Sequence, residues 1–409
     1  MRLLCALGWV AVAGCAARPL ANPLPPSVAA VAFGVDLHLH VSMSQAAKPF
    51  FKGEPGNGTL SWNSGSRLVN QIDEAQMHAS GVKLALGAVW PPFELRPGRT
   101  SLDEAVNQLE QLRVFSLRRP GFALVHSTAQ AKGEIALGRI AILPAVEGGE
   151  GIREVDDVDR LWLAGARAIT LVHFGANGLG GAARGQMLRN LLGMKTGGLE
   201  PLGLTALGRA AVERMIDLGV VIDLSHASDA LATDVLDLAE ARGVPVLNSH
   251  SGTRELSSME RNISDAIAAR IAKGGGLVGV TIFERMLDEV PQTERWPGFV
   301  PDSCDEIVAH WLHLAKAAGA SSLTLGSDFN GFITRHGAGG SCPHGLRNIG
   351  DLGQLWAALE AHGLPRAALD GMGERFWALL QKVESKASPS ARAAARRHIR
   401  LDADLFAAP

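Results

Sequence analysis

The chain has 409 residues, of which 47% are hydrophobic and 20% are charged. That length and composition allow one large hydrophobic core or two smaller ones, and they exclude a single small domain. The formal net charge of -2 excludes a strongly basic surface, so we expect no nucleic-acid partner and no binding to an anionic membrane through net charge alone.

The first residues have the features of an export signal. Arg2 precedes the apolar run "LLCALGWVAVAG", which is too short to span a bilayer, so residues 1–14 are predicted to form a signal peptide. The end of this run, "VAGC", resembles the lipobox of bacterial lipoproteins, in which the cysteine, here Cys15, becomes the lipidated first residue of the mature chain. Ordinary cleavage after a small residue is the alternative. Residues 15–30 are Pro-rich without periodicity, which is typical of a tether.

This interpretation places the mature protein in the bacterial cell envelope, where the N-terminal lipid anchors it on the periplasmic or the surface face of a membrane. Export also permits a disulfide bond between Cys304 and Cys342, the cysteines that remain when Cys5 leaves with the signal and Cys15 is acylated. The sequence alone does not bring their Cα atoms within bridging distance, so this pairing stays open.

Eight short segments rich in Val, Ile and Leu alternate with longer helical patterns after the tether. Their ranges are 31–40, 82–90, 139–149, 166–173, 219–226, 244–250, 276–283 and 322–329. Nearly continuous apolar strands are typical of a parallel sheet that is covered on both faces. The repeated order of strand and helix predicts a closed (β/α)8 TIM barrel over residues 31–383, with a doubly wound open sheet as the alternative.

The segments between the strands carry helix signals. Residues 204–219 have apolar side chains at helical spacing, begin near the cap-type residue Thr205 and stop at Gly219. The same pattern recurs at 228–243 and 264–276. We therefore expect helices over these three ranges.

Two polar, glycine-rich segments and the C-terminus lie outside this pattern. Residues 41–65 and 174–203 are expected to form long loops at one mouth of the barrel, the second acting as a flexible lid. Neither has the spacing of a phosphate-binding loop. Residues 384–409 predict a basic helix packed on the outside of the barrel, with a membrane-apposed patch as the alternative.

Residues of the types that bind metals stand at the ends of the predicted strands. The stretch "VDLHLH" places Asp36, His38 and His40 on one face of a strand, because alternate side chains point the same way. Further strands end in Glu147, His173, His226, His250 and Asp328. Barrel strands converge at their carboxyl ends, where neutral imidazoles and carboxylates gathered out of water need a cation between them. Zinc-like metals take these ligands.

These residues lie in stretches that resemble the renal (membrane) dipeptidase family, peptidase family M19, of the amidohydrolase superfamily. The stretches are "VVIDLSHASDA", "PVLNSHSGTRELSSMERNISDAIAARIAKGGGLVGV" and "LTLGSDFNG", with "ILPAVEGGEGI" and "VDLHLH" as shorter matches. The resemblance spans roughly residues 31–383. It implies a metal-dependent hydrolase of the (β/α)8 amidohydrolase type, with two Zn²⁺ ions per chain, that cleaves the peptide bond of dipeptides.

Motif matching assigns the metal ligands that the resemblance implies. His38 would bind the first metal, and Glu147, in "VEGG", would bridge both metals. His226, in "DLSH", and His250, in "SHSG", would bind the second. The family has aspartate where this chain has His40, so the first site contains His-x-His, the commoner form in the wider superfamily, and it is one charge unit more positive.

The resemblance also implies the residues that act on the substrate. His173 would polarise the substrate carbonyl, and Arg261 would pair with the free carboxylate of the substrate. Asp328 would shuttle a proton from a metal-bridging hydroxide, the nucleophile, to the leaving amine. Asn330 stands where the family usually has another aspartate, and the chain has no tyrosine, so any tyrosine contact of the relatives is missing or replaced.

Three functions remain open at this point. The first is hydrolysis of a dipeptide, the second is hydrolysis of a lactone, an N-acyl amino acid or a cyclic amide at the same metals, and the third is binding by an inactive lipoprotein. The expected partners are a small-molecule substrate and, through the lipid, a membrane, with a homodimer left open. The remaining histidines are interpreted as structural, although His336 and His344 lie in a loop that is within reach of the mouth.

Overall fold

A computed structural model describes residues 30–41, 71–72, 74–91, 100–173, 175–183, 203–331 and 336–402, together with the backbone of three short strands between residues 51 and 69. The predicted signal peptide, Cys15 and the tether up to residue 29 lie outside the described residues. Residues 184–202, most of the predicted lid, lie outside them as well.

The strands of the described residues fall into one parallel sheet and one small antiparallel sheet. In chain order they are β1 (Gly34–Leu39), β2 (Phe51–Lys52), β3 (Thr59–Trp62), β4 (Arg67–Val69), β5 (Val82–Val89), β6 (Phe122–Leu124), β7 (Ile140–Glu147), β8 (Ala168–Thr170), β9 (Val221–Asp223), β10 (Leu247–Ser251), β11 (Leu277–Val280) and β12 (Leu323–Leu325).

The helices alternate with the strands of the parallel sheet. In chain order they are α1 (Glu74–Ser80), α2 (Ser101–Leu117), α3 (Thr128–Ala136), α4 (Asp156–Leu163), α5 (Ala206–Leu218), α6 (Asp229–Arg242), α7 (Asp265–Lys273), α8 (Cys304–Leu314), α9 (Leu352–Ala361), α10 (Arg366–Asp370), α11 (Met372–Lys386) and α12 (Pro389–Asp402). A π-helical turn at Ala315–Gly319 continues α8.

Eight parallel strands close into a barrel. β1 pairs with β5 on one side and with β12 on the other, and β5 pairs with β7, which completes the ring. The remaining barrel strands run in order from β8 to β11. Each of the eight predicted segments overlaps one of these strands, so the (β/α)8 barrel is confirmed and the open sheet is excluded. β6, which the sequence did not predict, pairs with the first half of β7 beside the ring.

The prediction that residues 41–65 form one long loop was wrong in part. β2 and β3 lie within this range; they pair with each other, and β3 also pairs with β4, in an antiparallel sheet. Strands of two to four residues carry little periodicity, and the glycines and asparagine of "GEPGNG" at 53–58 dominate the composition of the region.

The helix signals are confirmed where they were strongest. The hydroxyl of Thr205 accepts a hydrogen bond from the backbone N–H of Gly208 at the start of α5, as an N-cap residue does. Gly219 ends this helix with a φ of 72°, a left-handed conformation that glycine adopts without steric cost. α6 and α7 match the predicted ranges 228–243 and 264–276.

The C-terminal helix α12 packs against the outer helices α4 and α5. Arg392 donates from Nε to the carbonyl of Leu218, and the guanidinium of Arg396 lies 5.4 Å from the centre of the Trp162 ring. This location agrees with the predicted basic helix on the outside of the barrel. Among the described residues, no helix combines the length and the apolar character that crossing a bilayer requires.

The disulfide between Cys304 and Cys342 is confirmed. The two Cα atoms are 5.8 Å apart, and the bond joins the first turn of α8 to the loop that follows β12. This loop comes after Asp328, so the bond restrains the connection on the C-terminal side of a predicted site residue.

Reduction of this disulfide is expected to lower the free energy of unfolding by about 2–4 kcal/mol, because the crosslink restricts the unfolded chain over a separation of 38 residues. Urea unfolding with and without reductant measures the difference. Cys304→Ser is the control, since reductant should not change its midpoint. Identical wild-type midpoints under both conditions would contradict the stabilising role.

Candidate functional site

The carboxyl ends of the barrel strands bring the predicted site residues together. His38 lies in β1, Glu147 ends β7, and His250 lies in β10. His40 directly follows β1, whereas His173, His226 and Asp328 each lie three residues after the end of β8, β9 and β12. The imidazoles are buried, with at most 7% of His38, His40, His173 and His250 exposed.

The carboxylate of Glu147 is at the centre of this cluster. Its two oxygens lie within 3.6 Å of the Nε2 atoms of five histidines. The distances are 3.1 Å to His226, 3.4 Å to His38, 3.4 Å to His173 and 3.6 Å to His250 from Oε1, and 3.4 Å to His40 from Oε2. The sequence separates these partners by as much as 109 residues, so only closure of the barrel brings them to one carboxylate.

Several imidazoles also face one another through the same nitrogen. The Nε2 atoms of His38 and His40 are 3.2 Å apart, and so are those of His226 and His250. Oδ1 of Asp328 is 3.2 Å from Nε2 of His40. Three sets of side chains have ligand atoms close enough to share one ion: His38 with His40 and Asp328, His38 with Glu147 and His250, and Glu147 with His173 and His226.

Burial and neighbouring side chains keep three imidazoles neutral and the carboxylate of Glu147 ionised. Burial lowers the pKa of His173 to about 4, and it lowers the pKa values of His226 and His250 well below their ordinary range. Burial tends to raise the pKa of Glu147, but electrostatic interactions and hydrogen bonds with His173, His38 and His226 outweigh it and hold this pKa well below the ordinary range. Unprotonated nitrogens and an ionised carboxylate are the forms that bind metals.

His40 differs from the other histidines. Burial alone would lower its pKa, but interactions with the carboxylates of Asp328 and Glu147 raise this pKa to about 10. The two carboxylates therefore attract a positive charge to the position of this ring. Nδ1 of His40 is buried and has no hydrogen-bond partner in the described part of the chain.

Arg261 lies against the second group of imidazoles. Its Nε donates to Nδ1 of His226 at 3.1 Å, and burial lowers its pKa to about 10. Nη1 and Nη2 are buried without a hydrogen-bond partner among the described residues. An unpaired guanidinium fork of this kind matches the two oxygens of a carboxylate.

Two site residues have a left-handed backbone, with φ values of 65° for His226 and 60° for Asp328. Residues other than glycine rarely adopt this conformation, and where they do so the strain is often found at functional sites. Each of the two residues lies three positions after the end of a strand, and its side chain points into the cluster.

Asn330 anchors the chain next to His40. Its side-chain oxygen accepts from the backbone N–H of Gln71, and its backbone N–H donates to the side-chain oxygen of Gln71. Its Nδ2 lies 3.4 Å from the carbonyl of His40, to which it donates. A carboxylate at this position could not make that last bond, which accounts for an asparagine here.

Other histidines outside the cluster have structural partners. His310 accepts at Nδ1 from the backbone of Thr253 and donates at Nε2 to the carbonyl of Leu287, as predicted for a structural residue. His336 is buried and donates to the carbonyl of Ile282 instead of facing the cluster. His344 is exposed.

The comparison with known protein families agrees with this geometry. The model of the family described as membrane dipeptidase, peptidase family M19, matches residues 31–393. The chain belongs to this family. The match covers the whole barrel and the start of α12.

One relative matches this M19 family member over only part of its length. It is 35% identical over 198 residues to an uncharacterized dipeptidase of Schizosaccharomyces pombe, which corresponds to 47% of this chain and 42% of the relative. The chain therefore aligns with less than half of the length of that relative.

Solved structures resemble this M19 family member in fold. The probable dipeptidase PvdM from Pseudomonas aeruginosa superposes with a TM-score of 0.66 at 20% identity, over 87% of this chain and 96% of the other. A metallopeptidase from Rhodobacter sphaeroides, solved with a phosphinate mimic of the dipeptide L-Ala-D-Ala, superposes with a TM-score of 0.63 at 21% identity, over 86% and 99%.

Sequence reasoning placed Asp36 on the same strand face as His38 and His40 but without a role, and it missed the other residues that support the cluster in this M19 family member. The buried Asp36 accepts from the backbone of His38 and from Ser327, and burial raises its pKa to about 6. Oγ of Ser249 contacts Nδ1 of His38 and of His250, and Asp223 accepts from this hydroxyl. Glu150 accepts from the backbone N–H of His173. The available signal was a polar residue inside an apolar strand, as in "VVIDLSH" and "PVLNSH".

Proposed function

We propose that this protein is a binuclear zinc hydrolase that cleaves the peptide bond of dipeptides. The observation that carries the proposal is the central position of Glu147, whose Oε2 lies 3.4 Å from Nε2 of His40 and whose Oε1 lies within 3.6 Å of the Nε2 atoms of four other histidines. A carboxylate placed in this way can bridge two cations. Family membership supports a metallopeptidase, and the buried guanidinium of Arg261 supports a substrate with a free carboxylate.

The donor atoms fit two metal ions. His38 and His40 with one oxygen of Glu147 supply nitrogen and oxygen ligands for the first, and His226 and His250 with the same carboxylate supply them for the second. If both nitrogens of such a pair are unprotonated, lone pairs 3.2 Å apart repel unless a cation lies between them. Bound zinc supplies a nucleophile near neutral pH by lowering the pKa of a water molecule to about 7.

Arg261 and His226 cannot keep their present hydrogen bond in the loaded site. Ligation through Nε2 of His226 places the imidazole proton on Nδ1, and that nitrogen then no longer accepts from Nε of Arg261. Arg261 has to release this bond. Its whole guanidinium then becomes available to the substrate carboxylate.

The remaining residues act on the peptide bond itself. Asp328, whose Oδ1 lies 3.2 Å from His40, is placed to take the proton of the attacking water and to return it to the leaving amine. In this proposal His173, whose Nε2 lies 3.4 Å from Oε1 of Glu147, donates a hydrogen bond to the substrate carbonyl oxygen.

A substrate panel tests this function. Metal analysis of the purified protein should give close to two equivalents of zinc, and a panel of L,L-, L,D- and cyclic dipeptides beside lactones and N-acyl amino acids should give the highest kcat/KM for linear dipeptides. The phosphinate-bound relative makes L-Ala-D-Ala a necessary member of the panel. A higher kcat/KM for lactones, N-acyl amino acids or cyclic amides would show that the protein hydrolyses that class of substrate instead. Absence of both zinc and turnover would favour a binding protein.

Arg261→Ala is expected to raise KM for dipeptides with a free carboxylate by about 10- to 100-fold, because a charged hydrogen bond contributes about 1.5–3 kcal/mol. The control is the same dipeptide with an amidated C-terminus, on which the variant and the wild type should differ little. Equal losses on the free and amidated substrates would contradict carboxylate recognition.

We further propose that the protein is exported and anchored through a lipid on Cys15. The support is the order of charge, apolar run and "VAGC" in the sequence, together with a disulfide that an oxidising compartment permits. Cells grown with labelled palmitate should incorporate label into the wild type and not into Cys15→Ala. Equal labelling of both would contradict acylation at this cysteine.

A further inference from the structure

We propose that the hydroxyl of Ser249 is a shared positioning group that orients a histidine of each metal site at once. The inference rests on the proposed function, since it assigns His38 and His250 to different metals. Ser249 directly precedes His250 in β10, and only 1% of it is exposed.

The contacts of Ser249 reach both halves of the centre. Its Oγ lies 3.2 Å from Nδ1 of His38 and 2.9 Å from Nδ1 of His250. It also donates to Oδ2 of Asp223 at 2.6 Å. One hydroxyl thus stands behind two imidazoles whose Nε2 atoms both face Glu147.

The hydrogens of this group allow one assignment. A serine hydroxyl has one hydrogen and two lone pairs. The carboxylate of Asp223 takes the hydrogen, so both lone pairs accept, one from Nδ1–H of His38 and one from Nδ1–H of His250. Each neutral ring then has its Nε2 unprotonated, which is the form that binds a metal.

The neighbouring hydroxyl of Ser225 does not compete for this role. It is 3.0 Å from Oγ of Ser249, but it accepts from the backbone N–H of His250 at 3.0 Å and has an acceptor in the side-chain oxygen of Asn248 at 3.2 Å. Ser225 therefore has its own partners, and among the described residues its hydroxyl makes no hydrogen bond to an imidazole nitrogen. It is a matched control for the removal of a buried hydroxyl.

Asp223 and two glycines fix the position of Ser249. Oδ1 of Asp223 accepts from the backbone N–H of Ser249 at 2.8 Å, and Oδ2 accepts from Thr170 at 2.7 Å. A Cβ on Gly279 would lie 1.9 Å from the carbonyl oxygen of Ser249, and one on Gly326 would lie 2.0 Å from it. The neighbouring strands can approach this backbone so closely only because both residues lack a side chain.

The arrangement predicts that both metal sites depend on one hydroxyl. Loss of a group that orients a ligating histidine typically weakens metal binding about 10- to 100-fold. Ser249→Ala removes the acceptor from His38 and from His250 together. Both zinc equivalents should therefore bind more weakly, whereas a group that supports one histidine would affect one equivalent.

The test is zinc titration of the metal-free full chain against a chromophoric chelator. Ser249→Ala should weaken both equivalents about 10- to 100-fold, Ser249→Thr should restore most of the affinity by keeping the hydroxyl, and Ser225→Ala should change it much less. Histidine ¹⁵N chemical shifts of the metal-free protein provide a second measurement. The two rings should be Nδ1–H tautomers in the wild type and should lose this preference in Ser249→Ala, whereas a merely less stable fold would leave tautomers unchanged.

The outcomes separate this inference from the proposed function. A wild type that does not bind two zinc ions overturns the binuclear centre itself. A wild type that binds two, with Ser249→Ala binding both equally well or losing only one, overturns the shared role of Ser249 and leaves the hydrolase intact. Unchanged tautomers in Ser249→Ala would overturn it in the same way.

Discussion

Asp328→Asn is expected to lower kcat by about 100- to 10,000-fold while both metal equivalents remain bound. An amide cannot take a proton from water or deliver one to a leaving amine, and general acid–base groups contribute rate factors of this size. The substitution keeps the shape of the side chain, and asparagine tolerates the left-handed backbone that residue 328 adopts, with a φ of 60°. The backbone should therefore stay in place.

Zinc analysis and steady-state kinetics on the same preparation provide the measurement for Asp328→Asn. The control is the number of zinc ions bound per chain, because the rate of a variant that has lost zinc does not report on proton transfer. If the variant binds both zinc ions and has the kcat of the wild type, Asp328 does not transfer the proton. Loss of zinc together with rate would make Asp328 a ligand, a role that its 3.2 Å distance from Nε2 of His40 would allow.

Glu147→Gln is expected to weaken zinc binding about 100- to 5,000-fold and to remove activity with the metal. The variant keeps the volume of the side chain but loses the buried charge that faces five imidazoles, and breaking a buried charge interaction costs about 3–5 kcal/mol. Atomic emission analysis after dialysis measures the retained zinc, and chelator titration measures the affinity.

Glu150→Gln is the matched control for this substitution. Glu150 is a second carboxylate, three residues after Glu147 in the turn that follows β7, and it accepts from the backbone N–H of His173. It should retain both zinc equivalents. Two tightly bound equivalents in Glu147→Gln would show that this carboxylate does not bridge the metals, and the binuclear arrangement would have to be abandoned.

Barrel strands were predictable because their signal is local. Segments such as 139–149 are apolar almost throughout, as a strand covered on both faces requires, and β7 (Ile140–Glu147) is buried at every position. β6 (Phe122–Leu124) is as short as β8, β9 and β12, but it was missed because its apolar run, Phe122–Val125, is only four residues long, whereas those strands lie in predicted segments of eight residues. The antiparallel strands β2 to β4 were missed for the same reason.

The members of the site were predictable from residue type and motif, but their contacts were not. A histidine at the end of each of several strands indicates a shared centre once the strands close into a ring. Nothing local indicates that Nδ1 of His226 faces Arg261, or that Asn330 bonds to Gln71, 259 positions away. These contacts depend on loops whose course the periodicity does not describe.

The sequence by itself determined the alternation of strand and helix, the residue types at the strand ends and the family. Each of these follows from short-range periodicity or from contiguous motifs. Only the tertiary structure decided which nitrogen of each imidazole faces Glu147, and it placed Ser249 between His250, its neighbour, and His38, 211 positions away. The physical reason is barrel closure. The pairing of β1 with β12 and of β5 with β7 sets the strand register, and the register sets which side chains meet at the mouth.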